Sequence, residues 1–280
     1  MKKVIESISW LPFKLKGKLR RKSELVNINI DNLTFPFKLI KDNSLYSLTS
    51  NLQTYKTREP RNVRAYIDFI TEDDIVLDVG ANIGFFTILS KKAKKIIAIE
   101  PIKKCLEVLR YNLFINNISN VKIYNLCLGN GKELRFLEDK ALNQSKVITD
   151  KNKGYKVKTK TLDYFTKKFQ VNMIKIDVEG YEYEIFRKEI PKKINKIMIE
   201  FHTNLMGKEK SLKLLESFYK NGFVIERLIE DLPLRLYPFI KYYKSFSYEK
   251  KDLGLKEAKE CVLKGRGLKY LYLRRKEHEN

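Results

Sequence analysis

The sequence is poor in the residues that build metal ribbons or disulfide scaffolds. It has three cysteines and two histidines in 280 residues. Cys105, Cys127 and Cys261 lie far apart and form no ligand spacing, so neither a metal centre nor a disulfide framework is expected. Thiols used this sparsely fit a reduced, cytoplasmic setting. No uncharged apolar run approaches the ~18 residues that cross a bilayer. A secretory leader is not expected either, because Lys14, Lys16 and Lys18 interrupt the apolar stretch after Trp10. Acidic residues are also scarce, 34 against 57 Lys and Arg, which leaves a net charge of +23. The excess is not gathered in one place. Residues 1–22 hold eight Lys/Arg against Glu6, residues 231–280 hold thirteen against seven acids, and the rest is spread between them. A solvated basic surface and a polyanion site both fit this distribution, and the first is the simpler.

What is present is enough for a folded core. At 43% hydrophobic content, global disorder is excluded, and the length suits one large α/β domain with extensions. The organising stretch is residues 75–84, IVLDVGANIG. It starts as an apolar strand, turns on Gly80 and Gly84, and runs into a helix-like FFTILS. A strand, a glycine turn and a helix N-terminus form a floor where a ligand can meet bare backbone. Two glycines four apart occur in unrelated turns as well, so this feature needs company.

An α/β rhythm supplies it. Strands are expected at 75–79, 95–99, 121–126, 173–177 and 196–201, with helices at 63–70, 84–92, 103–116, 181–188 and 209–221. Between the third and fourth strands lie short extended pieces at 134–137 and 155–160 and a helix at 162–169. That excursion stands at the carboxyl side of the sheet, where it can shape a substrate site. Strands at 223–228 and 268–273 complete the pattern, which implies a doubly wound, mostly parallel sheet. Residues 1–54 read as an extension, a basic amphipathic helix followed by a β-rich stretch. The helix can pack on the protein or make a peripheral contact with an anionic membrane. Residues 231–267 are rich in Pro, Lys and Tyr and read as an insertion before the last strand.

Charged residues collect at the strand ends. Glu100 closes the second strand twenty-two positions after Asp78, where a nucleotide-binding sheet places a carboxylate for ribose hydroxyls. It can equally cap the next helix. Asn112, Asn116 and Asn120 read as structural. Lys175, Asp177 and Glu179 close the fourth strand, a costly grouping unless paired or used. Glu200 and His202 close the fifth, on one face of it.

Together DVGANIG (78–84), NLFINNISNV, TLDYF (161–165), KIDVEGYE (175–182) and IEFH (199–202) resemble the FkbM-type methyltransferases, class I enzymes that use S-adenosylmethionine. The resemblance covers roughly residues 55–230. It implies a seven-stranded sheet whose last strand is antiparallel, and a catalytic domain over residues 55–280. It places Asp78, Gly80, Asn82 and Gly84 at the cofactor turn and Glu100 on the ribose. Glu59 falls near the cofactor, Asp177 faces it, and Cys127 stands beside the adenine where the family more often has alanine. His202 or Asp177 is the expected base, with Glu200 orienting the imidazole and Lys175 in the same group. The implied reaction is O-methyl transfer to a sugar, glycan, lipid-linked glycan or related small molecule. Two alternatives stand beside it. One is an RNA methyltransferase using the basic surface and the KYYKSFSY aromatics. The other is a cofactor-binding scaffold without activity, whose basic ends recruit membranes or partners.

Overall fold

A computed structural model describes residues 23–30, 33–40, 60–138, 145–148, 150, 152–231, 248–264 and 268–276. The expected helix within residues 1–22, Glu59 and most of KYYKSFSY lie outside the described residues.

The described chain opens with a hairpin, β1 (Ser23–Ile30) and β2 (Leu33–Ile40), then α1 (Pro60–Phe69), β3 (Ile75–Val79) and α2 (Phe85–Leu89). Next come β4 (Lys95–Ile99), α3 (Lys103–Ile115) and β5 (Val121–Tyr124). The excursion consists of β6 (Cys127–Leu128), β7 (Leu134–Leu137), β8 (Lys146–Ile148), β9 (Tyr155–Val157) and β10 (Thr159–Lys160). The rhythm resumes with α4 (Leu162–Phe169), β11 (Met173–Ile176), α5 (Glu182–Phe186) and β12 (Lys196–Glu200). After α6 (Thr203–Met206), α7 (Lys208–Lys220) and β13 (Phe223–Asp231), the chain ends in β14 (Tyr248–Leu253), α8 (Leu255–Leu263) and β15 (Leu268–Arg275).

The main sheet has the order β14-β13-β15-β12-β11-β3-β4-β5. The five strands from β12 to β5 are parallel, and β15 is antiparallel to both its neighbours. The seven strands with an antiparallel last member are therefore present, and β14 adds an eighth at the edge, antiparallel to β13. This strand and α8 arise inside the segment read as an insertion. Its sequence YEKKDL has no apolar alternation to announce a strand. The β-rich reading of the N-terminal extension resolves into the hairpin.

Alternation along the strands divides the core into two layers. Val76, Ile96, Ala98, Met173 and Met198 pack toward α1, α2 and α3, while Leu77, Ile97, Ile99, Ile174 and Ile197 pack on the other face. Strands buried on both faces read as continuous apolar runs, which is why the expected bounds of β3 and β4 are the observed ones. The hairpin is fixed to this frame by Asn112 of α3. Its Oδ1 accepts from the Lys38 backbone N–H at 2.6 Å, and its amide donates to the Ile83 carbonyl at 2.8 Å. Asn116 donates to the Pro36 carbonyl and Asn120 to the Ala93 carbonyl, so all three asparagines act as tethers.

Candidate active site

The carboxyl ends of β3, β4, β11 and β12 open into one cavity, with about 1200 Å³ free of protein atoms, part of it open to solvent. Its floor is the glycine turn. Gly80 takes φ +76°, and a Cβ there would lie 1.9 Å from the Asp177 carbonyl oxygen, so no other residue fits between β3 and β11. Gly84, at φ +95°, caps α2, and a Cβ would meet the Leu109 side chain at 2.3 Å. Gly80 and Asn82 line the cavity directly, whereas Gly84 sets the approach of α2 to α3.

Glu100 sits in the cavity wall at the end of β4, almost wholly buried. One carboxylate oxygen accepts from the Ile102 backbone N–H at 2.9 Å and the other from the Asn82 N–H at 2.9 Å. It steadies the chain at the start of α3 and also faces the cavity. Burial pushes its pKa up to about 7, against the pull of those two N–H groups and Lys175. Cys127 lines the cavity nearby, and burial pushes its thiol up to about 12, so it presents a neutral sulfur. Phe136, Ser145 and Val147 bring the excursion over the same cavity.

Asp78 and Lys175 form a buried strut beneath the turn. They are register neighbours on β3 and β11, with Lys175 Nζ 3.4 Å from Asp78 Oδ1 and 3.2 Å from the Gly80 carbonyl. The other Asp78 oxygen accepts from Thr87 at 2.6 Å. Burial works to discharge Lys175, but Asp78, Asp177 and Glu200 outweigh it and hold the ammonium above its ordinary range. Lys175 reaches the cavity wall; Asp78 lies behind it.

The densest chemistry surrounds His202. Its Nδ1 lies 2.6 Å from Glu182 Oε1, and its Nε2 lies 3.3 Å from Glu200, 3.6 Å from Glu179 and 3.8 Å from Asp177. The local chain explains the convergence. After β11, Glu179 (φ +51°) and Gly180 (φ +97°) both take left-handed conformations, a strained turn that aims successive acids inward. Glu182 then accepts from the Gly180 N–H at the start of α5 and is fully buried. Burial lowers the pKa of His202, yet hydrogen bonds to Glu182 and Glu200 prevail and raise it well above the usual range. Burial, with Asp177 beside it, raises Glu179 to about 8.

Asp177, Glu179 and Glu200 line the cavity, while His202 stands behind them with 8% of its side chain exposed. Sequence reasoning thus brought together Asp177, Glu200, His202 and Lys175 and, across the turn, Gly80, Asn82, Glu100 and Cys127. It gave no role to Glu179 or Glu182. The available signal was the number of acids in KIDVEGYE, three within six residues after a buried strand.

A glycine floor that admits backbone contact and a buried carboxylate facing the same cavity fit the adenosyl group of S-adenosylmethionine. The sheet order with its antiparallel last strand is the Rossmann-like fold of the class I methyltransferases. The methyltransferase FkbM domain matches residues 78–230, more than half of the chain, and the chain belongs to that family. Its cofactor is S-adenosylmethionine. It is similar to Methyltransferase 1 of Beauveria bassiana (strain ARSEF 2860), at 27% identity over 146 residues, covering 41% of this chain and 58% of that protein. The chain therefore spans less than two thirds of that relative. Among solved structures it is similar to an rRNA methylase from Streptococcus thermophilus, with 12% identity, a TM-score of 0.44 and coverage of 80% of this chain and 99% of that one. It is also similar to Trm5 from Methanocaldococcus jannaschii in complex with adenosine, with 15% identity, a TM-score of 0.45 and coverage of 90% and 55%.

Proposed function

We propose that the protein is an O-methyltransferase acting on a hydroxyl of a sugar, glycan or related small molecule. The observation that supports this most directly is the acidic wall. Asp177, Glu179 and Glu200 face the cavity together, beside the glycine turn and across from Glu100. A hydroxyl acceptor must lose a proton as its oxygen gains a methyl group, and a wall of carboxylates can both align the hydroxyl and take that proton. Asp177 and Glu200 in that wall disfavour a phosphate backbone, so the positive charge of the chain as a whole does not argue for a nucleic acid at this site.

When bound, S-adenosylmethionine supplies an electrophilic methyl group. The turn at Gly80 and Asn82 would hold it through the backbone, and Glu100 would accept from its ribose hydroxyls. Lys175 keeps Asp78 and the Gly80 carbonyl in place beneath the turn. His202 ties Asp177, Glu179 and Glu200 to Glu182, fixing the side chains that meet the acceptor. Among the described residues no helix is long and apolar enough to cross a membrane.

The test is to supply labelled cofactor and the full chain to a cell extract separated into glycan, small-molecule, lipid and RNA fractions. Label entering neutral glycans or small molecules, insensitive to salt, is the expected result. Label confined to RNA and suppressed by salt would overturn the proposal.

A further inference from the structure

Asp177, Glu200 and His202 each present one ligand-type atom, and these atoms all lie within 4.8 Å of one another. Two of the separations are 3.3 Å (His202 to Glu200) and 3.8 Å (His202 to Asp177). Ligands bound at ~2.1 Å stand roughly 3.0–3.4 Å apart in octahedral or tetrahedral arrangement, so the His202–Glu200 separation already fits and Asp177, which is partly exposed, has to move inward to join them. The elements that carry these residues are adjacent and in register, since Ile176 pairs with Ile199 at the ends of β11 and β12.

Two further observations distinguish this cluster from an ordinary acidic patch. The first is Glu182. It is wholly buried, with one oxygen 2.6 Å from His202 Nδ1 and the other without a hydrogen-bond partner. A buried carboxylate on one ring nitrogen, with the other nitrogen turned toward oxygen ligands, is how proteins orient an imidazole that binds a metal. The second is charge. Asp177, Glu182 and Glu200 surround one ring, which even as a cation offsets only one of them. Glu179, its pKa raised to about 8, adds little charge, and the neighbouring Lys175 is shared with Asp78 and the Gly80 carbonyl. Excess negative charge in a half-buried site is costly unless a cation offsets it.

We propose that Asp177, Glu200 and His202 form a divalent-cation site, with Glu182 orienting the imidazole. Two carboxylate oxygens and one imidazole nitrogen with open positions suit an ion of the Mn2+ type. This departs from the absence of a metal expected from the spacing of cysteine and histidine, since two of the three ligands are carboxylates brought together only by the fold. Its catalytic purpose rests on the hydroxyl-acceptor reading above: an ion held there would bind the acceptor oxygen and ease loss of its proton. Binding of the ion does not depend on that reading.

The test uses the full chain, stripped with a chelator and titrated with MnCl2 without cofactor or acceptor, free Mn2+ being followed by electron paramagnetic resonance. The expected result is one Mn2+ per chain, with affinity reduced at least tenfold in Glu200→Gln and in Asp177→Asn. Glu216→Gln, at a surface ion pair with Lys259, should bind as the parent does. Circular dichroism and a thermal unfolding curve confirm that each variant is folded. No stoichiometric binding by the parent overturns the proposal, and means that the carboxylates face only the sulfonium and the acceptor. Equal binding by both site variants overturns it as well. Stoichiometric Mn2+ binding in a protein that methylates no hydroxyl would uphold the site and remove the acceptor reading.

Discussion

The two ends of the parallel sheet each bury a lysine against an aspartate, and they do so in opposite ways. At the amino end, Lys196 Nζ lies 2.8 Å from Asp74 and also donates to Thr71 and the Phe69 carbonyl. Asp74 in turn accepts from the Thr71 backbone N–H at 2.7 Å. One charge meets one charge, and every group has a partner. At the carboxyl end, Lys175 and Asp78 form a similar strut, but Asp177, Glu179, Glu182 and Glu200 gather beside it around one imidazole. Left-handed residues collect there as well, at Gly80, Asn82, Gly84, Glu179 and Gly180. The amino end is balanced for stability; the carboxyl end carries an imbalance of charge, which a protein keeps where it binds and reacts.

The comparison can be broken most sharply at Lys196. Removing one partner of a buried pair leaves the other uncompensated, so Lys196→Met should cost about 3–5 kcal/mol of stability, measured by chemical denaturation. Cofactor affinity by calorimetry should stay within threefold, because Lys196 lies at the far end of its strand. A loss of affinity as large as the loss of stability would mean the two ends are not separable. Asp177→Asn should behave in the opposite sense. Its side chain is 30% exposed, so stability should change little. Turnover should fall by ~10²–10⁴-fold, the usual contribution of a group that aligns and deprotonates an acceptor. Full turnover in this variant would put the chemistry elsewhere.

A smaller effect is expected where the cofactor is held. Glu100→Ala removes a carboxylate that would accept from the ribose, and should weaken S-adenosylmethionine binding by ~1.5–3 kcal/mol. Unchanged affinity in a folded variant would reduce Glu100 to a strut for Asn82 and Ile102.

How much of this was legible in the sequence follows from what each residue depends on. Strands β3 and β4 are apolar on both faces, so composition alone marks them. Glu100, Asp177 and Glu200 stood out because acids at the ends of apolar strands are costly. Strand β14 was hidden, since an edge strand is free to be charged on its open side, and YEKKDL carries no period. Glu182 was hidden for another reason. Its burial depends on His202, twenty residues later, and on a turn whose left-handed pair brings the two together. Only Gly180 of that pair is written in a residue type that announces it. The placement of His202 behind the carboxylates, rather than at the cavity wall, is likewise a result of packing that strand position alone does not convey.

The smallest expected effect is also the most specific to the carboxyl end. Glu100 has its pKa raised to about 7, chiefly by burial. Lys175 and the Asn82 and Ile102 N–H groups pull it down, Asp78 pushes it up, and the thiols of Cys105 and Cys127 and the Tyr155 hydroxyl stand near. Ribose hydroxyls donate to a carboxylate, so binding favours the ionised form and releases a proton from the fraction still protonated. The sign follows. Below pH 7 most of the carboxyl is protonated and affinity is reduced; above it affinity reaches a plateau. Between pH 6 and pH 8 the gain should be about tenfold, since one proton is linked to binding. Glu100→Gln keeps the shape and removes the titration, so its affinity should be weak and flat across that window. A pH dependence that survives in Glu100→Gln would assign the proton to another group, and would leave the raised pKa of Glu100 a property of the fold alone.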